Sequence, residues 1–273
     1  MARDRKDLDA NEILYGLNPA FETIRARRRT IFRAFLLEDF DNRPRLAKLA
    51  RLLEKAGVDP QAVDKHFLYQ RSGTKQHQGV ALEVSPYPYE VEANLLRLKR
   101  LLLLDNLEDP QNTGAIMRSA DVFGFHGILL PTKGVPPIYP SMVKASAGAV
   151  EHLLVSRRRT AVASMRVAQE AGFKVASLDA RGDTPIGDFS PPEEPLLLVI
   201  GGEDKSVGRY ILDQSDWVLS LPSSGRVNSL NASVAAAIAM HAIAAALAAS
   251  PAANPASTGA SEENSPKNDG ISL

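Results

Sequence analysis

The chain reads as an α/β protein, a doubly wound parallel-sheet domain preceded by a smaller α/β domain. Three observations predict this class. Short apolar runs alternate with helical patterns over most of the 273 residues. Leu101–Leu104 is apolar at every position, as a strand covered by helices on both faces requires. Pro86-Tyr87-Pro88-Tyr89 interrupts the pattern and marks the boundary between the domains.

From the N-terminus, Leu14, Leu17, Phe21 and Ile24 recur at three- and four-residue intervals and predict a helix over Ile13–Arg27. Ile31–Leu37 is a short apolar strand. Arg43–Ala56 is a second helix with Leu46, Leu49, Ala50 and Leu53 on one face and Gly57 as its stop. Val63–Tyr69 is expected as a strand, Gln70–Gln76 as a polar loop and Gly79–Val84 as another strand. A short helix or linker over Glu90–Arg97 leads to the strand Arg100–Leu104. Helices at Thr113–Phe123, Ser141–Ala147 and Thr160–Ala171 then alternate with strands at Gly127–Leu130, Leu153–Val155 and Lys174–Leu178. Leu196–Ile200 and Trp217–Leu221 complete the sheet, and Ala232–Ala249 is a long alanine-rich helix. The expected organisation is a flexible N-terminus at 1–10, domains at 11–85 and 100–249, a linker at 86–99 and a disordered polar tail at 250–273.

Composition narrows the function. With no cysteine, disulfides, thiolate chemistry and cysteine-bound zinc are excluded. His66, His77, His126, His152 and His241 have no metal-ligand spacing, so no metal site is expected; His77 and His126 are expected at the surface or behind a site. The first residues lack a secretory pattern, and Leu101–Leu104 and Leu196–Ile200 are too short to cross a bilayer. A soluble, cytoplasmic protein without a membrane partner is the expectation. Lys+Arg and Asp+Glu each total 32. The excess of bases is local: residues 1–99 hold 18 bases against 14 acids, with Arg25, Arg27, Arg28, Arg29 and Arg33 the densest cluster. Such a cluster suits either a solvated helix face or contact with RNA phosphate.

Open parallel sheets bind ligands at the carboxyl ends of their strands, and four segments follow apolar strands with polar or small residues. In Asp105–Gly114, Asn112 can cap the next helix, and Arg118 offers a fixed cation from its second turn. Lys144-Ala145-Ser146-Ala147-Gly148-Ala149 suits close helix packing or approach to a ligand. Val199–Gly208 places Gly201 and Gly202 where backbone amides can face a ligand. Its Lys205-Ser206 follows Asp204 rather than the glycine of a phosphate loop, and no GxGxxG is present, so nucleotide hydrolysis and nicotinamide binding are not supported. Leu221–Ser233 offers Ser229 or Asn231 as a helix cap, with Leu221 and Leu230 to enclose an apolar surface.

In this order the segments resemble the three motifs of the TrmH/SpoU family of SPOUT RNA 2'-O-ribose methyltransferases. The resemblance covers Arg100–Ala249 and rests on Asn112, Gly114 and Arg118, then Gly201 and Glu203, then Pro222, Ser229-Leu230-Asn231 and Ser233, with Ser146-Ala147-Gly148-Ala149 between. It implies a C-terminal trefoil knot, otherwise rare, a homodimer with the site close to its interface, and S-adenosyl-L-methionine as cofactor. It implies a catalytic set of Arg118, Asn112, Glu203, Ser229 and Asn231, and a cofactor site of Gly201, Gly202, Ser220, Leu221 and Leu230. Arg118 would orient or activate the 2'-hydroxyl, Asn112 would hold Arg118, and Glu203, Ser229 and Asn231 would organise the pocket. Asp204-Lys205-Ser206 departs from the family's glycine-rich continuation, which predicts an altered cofactor affinity.

The first 85 residues are similar to the RNA-binding domain of the large-ribosomal-RNA members, an α/β fold like a small ribosomal protein. Tyr15-Gly16-Leu17-Asn18-Pro19 and Gln76-His77-Gln78-Gly79-Val80-Ala81 carry that likeness. It implies a structured RNA partner, first a guanosine ribose of large-subunit rRNA, with Asn18, Arg25, Arg28, Arg29 and His77 toward the RNA and no DNA partner. The alternatives are a tRNA or an rRNA adenosine as target, or a noncatalytic RNA-binding or ribosome-assembly role.

Overall fold

A computed structural model describes residues 11–203, 205–226 and 230–249. The N-terminal domain is a four-stranded mixed sheet in the order β1-β4-β2-β3, formed by β1 (Glu12–Tyr15), β2 (Ile31–Leu37), β3 (Pro60–Val63) and β4 (Val80–Val84). Its helices are α1 (Leu17–Ala26), α2 (Pro44–Lys55) and α3 (Lys65–Ser72). β4 pairs antiparallel with both β1 and β2, while β3 lies parallel to β2. A short helix α4 (Glu92–Leu95) leads into the larger domain.

That domain is a seven-stranded, wholly parallel sheet in the order β7-β6-β5-β10-β8-β11-β9. Its strands are β5 (Arg100–Asp105), β6 (Gly127–Leu129), β7 (Leu154–Ser156), β8 (Lys174–Leu178), β9 (Thr184–Pro185), β10 (Leu196–Gly201) and β11 (Trp217–Ser220). The helices are α5 (Pro110–Val122), α6 (Pro140–Ala145), α7 (Ala161–Glu170), α8 (Arg209–Asp213) and α9 (Ala232–Ala249). Leu101 through Leu104 are all fully buried, Leu102 and Leu104 in one apolar cluster and Leu101 and Leu103 in another. That two-sided burial is why the middle of β5, Leu101–Leu104, is apolar at every residue. β5, β6 and β7 step toward one edge, and β8, β11 and β9 toward the other. β10 enters between β5 and β8, so the direction of winding switches there.

Several expectations need correction. The helix predicted over Ile13–Arg27 is β1 followed by α1. Gly16, at φ +98, turns the chain between them, and Ile13 and Leu14 pair with Glu83 and Leu82 of β4. Val63–Tyr69 is mostly α3, whose start is capped by Asp64 Oδ1 accepting from Phe67 N at 2.7 Å; Phe67 then packs 5.1 Å from Phe35. Of the expected loop Gln70–Gln76, the first part completes α3 and the last begins a 3-10 turn at Lys75–His77. α5 starts three residues early, at Pro110, with Asp109 rather than Asn112 as its cap. β9 and α8 were not anticipated.

α9 is long and apolar enough to cross a membrane by length and composition alone. Ala236, Ala239, Met240 and Ile243 instead pack into the core that also holds Ile116, Met117 and Ala120 of α5. The segments expected to be loose, 1–10 and 250–273, lie outside the described residues.

Candidate active site

The carboxyl ends of β8, β10 and β11 open into a cavity of about 500 Å³. Leu178, Ile200, Leu221 and Leu230 give it apolar walls, and Gly201, Gly202, Ser206, Ser223 and Gly225 bring backbone to its edge. Its two described carboxylates are Asp179 and Glu203. Four of the five residues expected to hold the cofactor line it: Gly201, Gly202, Leu221 and Leu230. Ser220 ends β11 next to Leu221 and is not in the wall.

Glu203 binds three elements together. Its Oε1 accepts from Asn112 Nδ2 at 2.9 Å, from Asn231 Nδ2 at 2.5 Å and from the Ala232 backbone amide at 3.3 Å. Asn231 Nδ2 also reaches Asn112 Oδ1 at 3.0 Å, while its Oδ1 accepts from the amide and hydroxyl of Ser233. Asn231 is therefore both a cap for α9 and one third of a clasp joining α5, the loop after β10 and α9. Asp109 caps α5 and leaves the Asn112 side chain free for this role. Ser229 lies outside the described residues.

The glycines after β10 answer to packing. A Cβ on Gly202 would lie 2.0 Å from the Asn106 carbonyl oxygen, and one on Gly201 would lie 2.3 Å from the Val207 amide nitrogen. The loop is tied back to β5 by Gly208 N donating to Asp105 Oδ2 at 2.9 Å, and burial raises the Asp105 carboxyl above the usual aspartate range. In the departing segment, Lys205 faces Glu108 at 3.4 Å, Ser206 joins the wall, and Asp204 lies outside the described residues. Asp179 was missed, although Asp179-Ala180-Arg181-Gly182 follows an apolar strand as the other loops do. Arg181 donates to both its carboxylate oxygens and holds it below the usual range.

Arg118 stands apart. It is exposed on α5 and, among the described residues, makes no hydrogen bond or ion pair, so Asn112 does not hold it as expected. It lines a separate cleft with Glu22 of α1, Asp121, Val122, His126, Ser146, Ala147, Ala149 and His152. This cleft lies where the two domains meet, and His152 Nε2 is 2.9 Å from Glu22 Oε2 across it.

The residues expected to face RNA divide. Arg29 is corrected outright: its side chain is fully buried between Glu12 at 2.6 Å and Glu151 at 3.0 Å. Arg28 serves the domain junction, donating to the carbonyls of Leu153 and Pro88, to Tyr87 Oη and to Glu90. His77 is buried with its Nδ1 accepting from Gly79 N, and burial lowers its pKa. Gln78 beside it accepts from Lys144 Nζ at 2.7 Å and from Leu17 N at 3.0 Å, so both N-terminal motifs meet the Lys144–Ala149 segment. Asn18 and Arg25 remain exposed, bonded to Arg45 and Glu22 respectively.

A parallel sheet with β10 inserted out of chain order, a ligand cavity at that switch point and a clasp from α9 define the knotted methyltransferase fold, here joined to an RNA-binding domain. The chain belongs to the SpoU rRNA methylase family, whose pattern matches residues 99–241; residues 13–90 match the RNA 2'-O ribose methyltransferase substrate-binding domain. It is thus an RNA 2'-O-ribose methyltransferase. An uncharacterized tRNA/rRNA methyltransferase of Mycolicibacterium gilvum is 35% identical over 88% of this chain and 78% of its own. YacO of Bacillus subtilis, placed in the TrmH family of tRNA/rRNA methyltransferases, is 33% identical over 85% of this chain and 95% of its own. Among solved structures, the SpoU methyltransferase AviRb of Streptomyces viridochromogenes with AdoMet superposes with a TM-score of 0.73 at 22% identity, covering 88% of this chain and 91% of its own. An AdoMet-bound rRNA methyltransferase of Sinorhizobium meliloti gives 0.70 at 20% identity, covering 85% and 86%.

Proposed function

We propose that the protein transfers a methyl group from S-adenosylmethionine to the ribose 2'-oxygen of a guanosine in large-subunit rRNA, as a homodimer in the cytoplasm. The observation that carries this reading is the Asn112–Glu203–Asn231 clasp at the rim of a cavity sized for a small cofactor. Apolar walls, backbone edges and two carboxylates suit a cation with a flat base and a ribose. Leu178, Ile200, Leu221 and Leu230 would enclose the apolar surface, with Gly201 and Gly202 at the backbone edge. When bound, the cofactor supplies an electrophilic methyl carbon on a sulfonium.

The chain's own residues would align the acceptor and manage charge. As the 2'-oxygen takes the methyl group it would release its proton to solvent, and the cofactor, once bound, would supply the methyl group and keep the electron pair on sulfur. A guanidinium donates hydrogen bonds and accepts none, so Arg118 would orient the ribose and stabilise the developing oxyanion. It lines a different cleft from the cofactor cavity of its own chain. The homodimer resolves that separation by bringing Arg118 of one copy to the cavity of the other. Val122 of α5 and Val234 and Ile238 of α9 are 69%, 47% and 43% exposed, an apolar face suited to a second copy.

The test is incubation with labelled S-adenosylmethionine and unmodified rRNA or tRNA, followed by mapping of 2'-O-methyl nucleotides. A single guanosine in large-subunit rRNA is expected; transfer to tRNA or to an adenosine would replace the substrate. RNA binding without cofactor binding or transfer would reject the catalytic reading. Arg118→Ala should cut turnover by roughly a hundredfold or more with cofactor affinity retained. Equal loss of both would reject its assigned role.

A further inference from the structure

We propose that the outer face of α2 docks the phosphate backbone of the RNA substrate, with Arg45, Lys48, Arg51 and Lys55 as the contacting cations. This rests on the functional reading above and adds the place where the RNA is held. α2 buries Leu46, Leu49, Ala50 and Leu53. At 100° per residue the four bases fall within about 120° of arc on the opposite side, spanning about 15 Å along the axis. All four are exposed, and no acid of the helix falls within that arc.

The stripe differs from the paired arginines around it in lacking counter-charge. Arg25, Arg28, Arg29, Arg33 and Arg43 each face a carboxylate at ion-pair distance. Among the described residues none of the four stripe cations does. Arg45 meets the neutral Asn18 Oδ1 at 2.6 Å, and its guanidinium lies 5.9 Å from the centre of the Phe21 ring. Like charges three and four residues apart repel on a helix, and a polyanion relieves that repulsion. In a chain of zero formal net charge, this makes the anion-attracting surface local.

The stripe is also continuous with the Arg118 cleft. Arg25 of α1 stacks on the same Phe21 ring at 5.6 Å and pairs with Glu22, which lines the cleft opposite Arg118. RNA held on α2 therefore leads across α1 to the junction of the domains. Because the stripe has cations and no aromatic side chain, it would grip phosphates irrespective of sequence and leave the choice of nucleotide to the cleft.

The test is the double variant Lys48→Ala/Arg51→Ala, since alanine keeps the helix, compared with Lys174→Ala/Arg209→Ala, which removes the same charge from the large domain. RNA binding is measured across a salt series, and methyl transfer at saturating cofactor. For the α2 variant the slope of log affinity against log salt should fall by about 1.5 to 2. KM for rRNA should rise roughly tenfold or more, with kcat and cofactor affinity unchanged. A slope and KM equal to wild type, or an equal effect in the control, would overturn the proposal. Failure of the wild type to methylate any RNA would reject the functional reading instead, and the binding slopes would still decide the stripe.

Discussion

At the scale of single residues, the site is organised by carboxylates with assigned partners. Glu203 collects three donors from α5 and the start of α9, so one side chain sets the spacing of two helices across a loop. Asp179, at the other wall of the cavity, is held in its charged form by Arg181. Its folded pKa lies below the unfolded aspartate value of about 3.9. The stability it contributes is therefore present above that value and lost as pH falls through the lower folded one. Arg181→Ala should move the Asp179 titration upward, because burial, which raises it, then acts with less opposition. Carboxyl-carbon NMR would follow this, and an unchanged titration would mean that Arg181 does not set it. Asn231 as a cap was legible from the sequence. Asn112 was misread as a cap, because Asp109 competes for the same amides and lies at the better position.

At the scale of elements, the turn after β10 has little room to vary. Gly202 does not adopt a left-handed conformation; what it needs is space, since a Cβ would overlap the Asn106 carbonyl. Gly202→Ala should destabilise the protein by about 1–3 kcal/mol, read as a lower urea midpoint, and should weaken cofactor binding as the loop shifts. Gly57 is the contrast. Its φ is +78 and a Cβ there would meet nothing within 4 Å, so an alanine would carry backbone strain without a clash. Long apolar strands and α9 were readable because periodicity and composition agreed along their whole length. β1 and α3 were not. Leu14 sits in helical register with Leu17 and Phe21, yet β4 supplies it with a strand partner, and Asp64 starts a helix in a stretch rich in strand-forming residues.

At the scale of the whole molecule, the two domains share one apolar core, with Leu14, Phe21 and Leu82 in the same cluster as Leu102, Ile116 and Val150. Arg29 and Glu151 meet inside this junction. Burial raises the Glu151 carboxyl while Arg29 opposes the shift. Tyr87 Oη lies within bonding distance of the Val150 and Leu153 carbonyls and fixes the linker beside them. Glu151→Ala would leave the Arg29 charge buried with Glu12 alone and should cost about 3–5 kcal/mol, measured by urea unfolding; a loss below about 1 kcal/mol would mean the pair is not needed for docking. The proposed sharing of the site between two copies makes a second expectation. Mixing inactive Arg118→Ala and Asn231→Ala copies should restore turnover, since one of the two sites in a mixed dimer then carries neither change. Mixtures as inactive as their parents would reject an active site shared between copies.

The α/β class, the parallel sheet, the family and the loops after β10 and β11 that line the cavity were legible in the residues alone. The class and the sheet depend on local pattern, uninterrupted apolar strands and helix periodicity, whereas the family came from the ordered resemblance of the motifs at the strand ends. Which polar residues are bonded to which, and which are buried, depended on how the elements pack. Arg25 and Arg29 belong to the same basic cluster in the sequence, but one is exposed and the other fully enclosed. Arg118 and Asn112 share a helix, yet six residues turn them apart, Asn112 to Glu203 of the cavity wall and Arg118 to a different cleft. The basic face of α2 is not distinguishable from the denser arginine run in the sequence, because charge density along the chain says nothing of which cations have carboxylates folded against them.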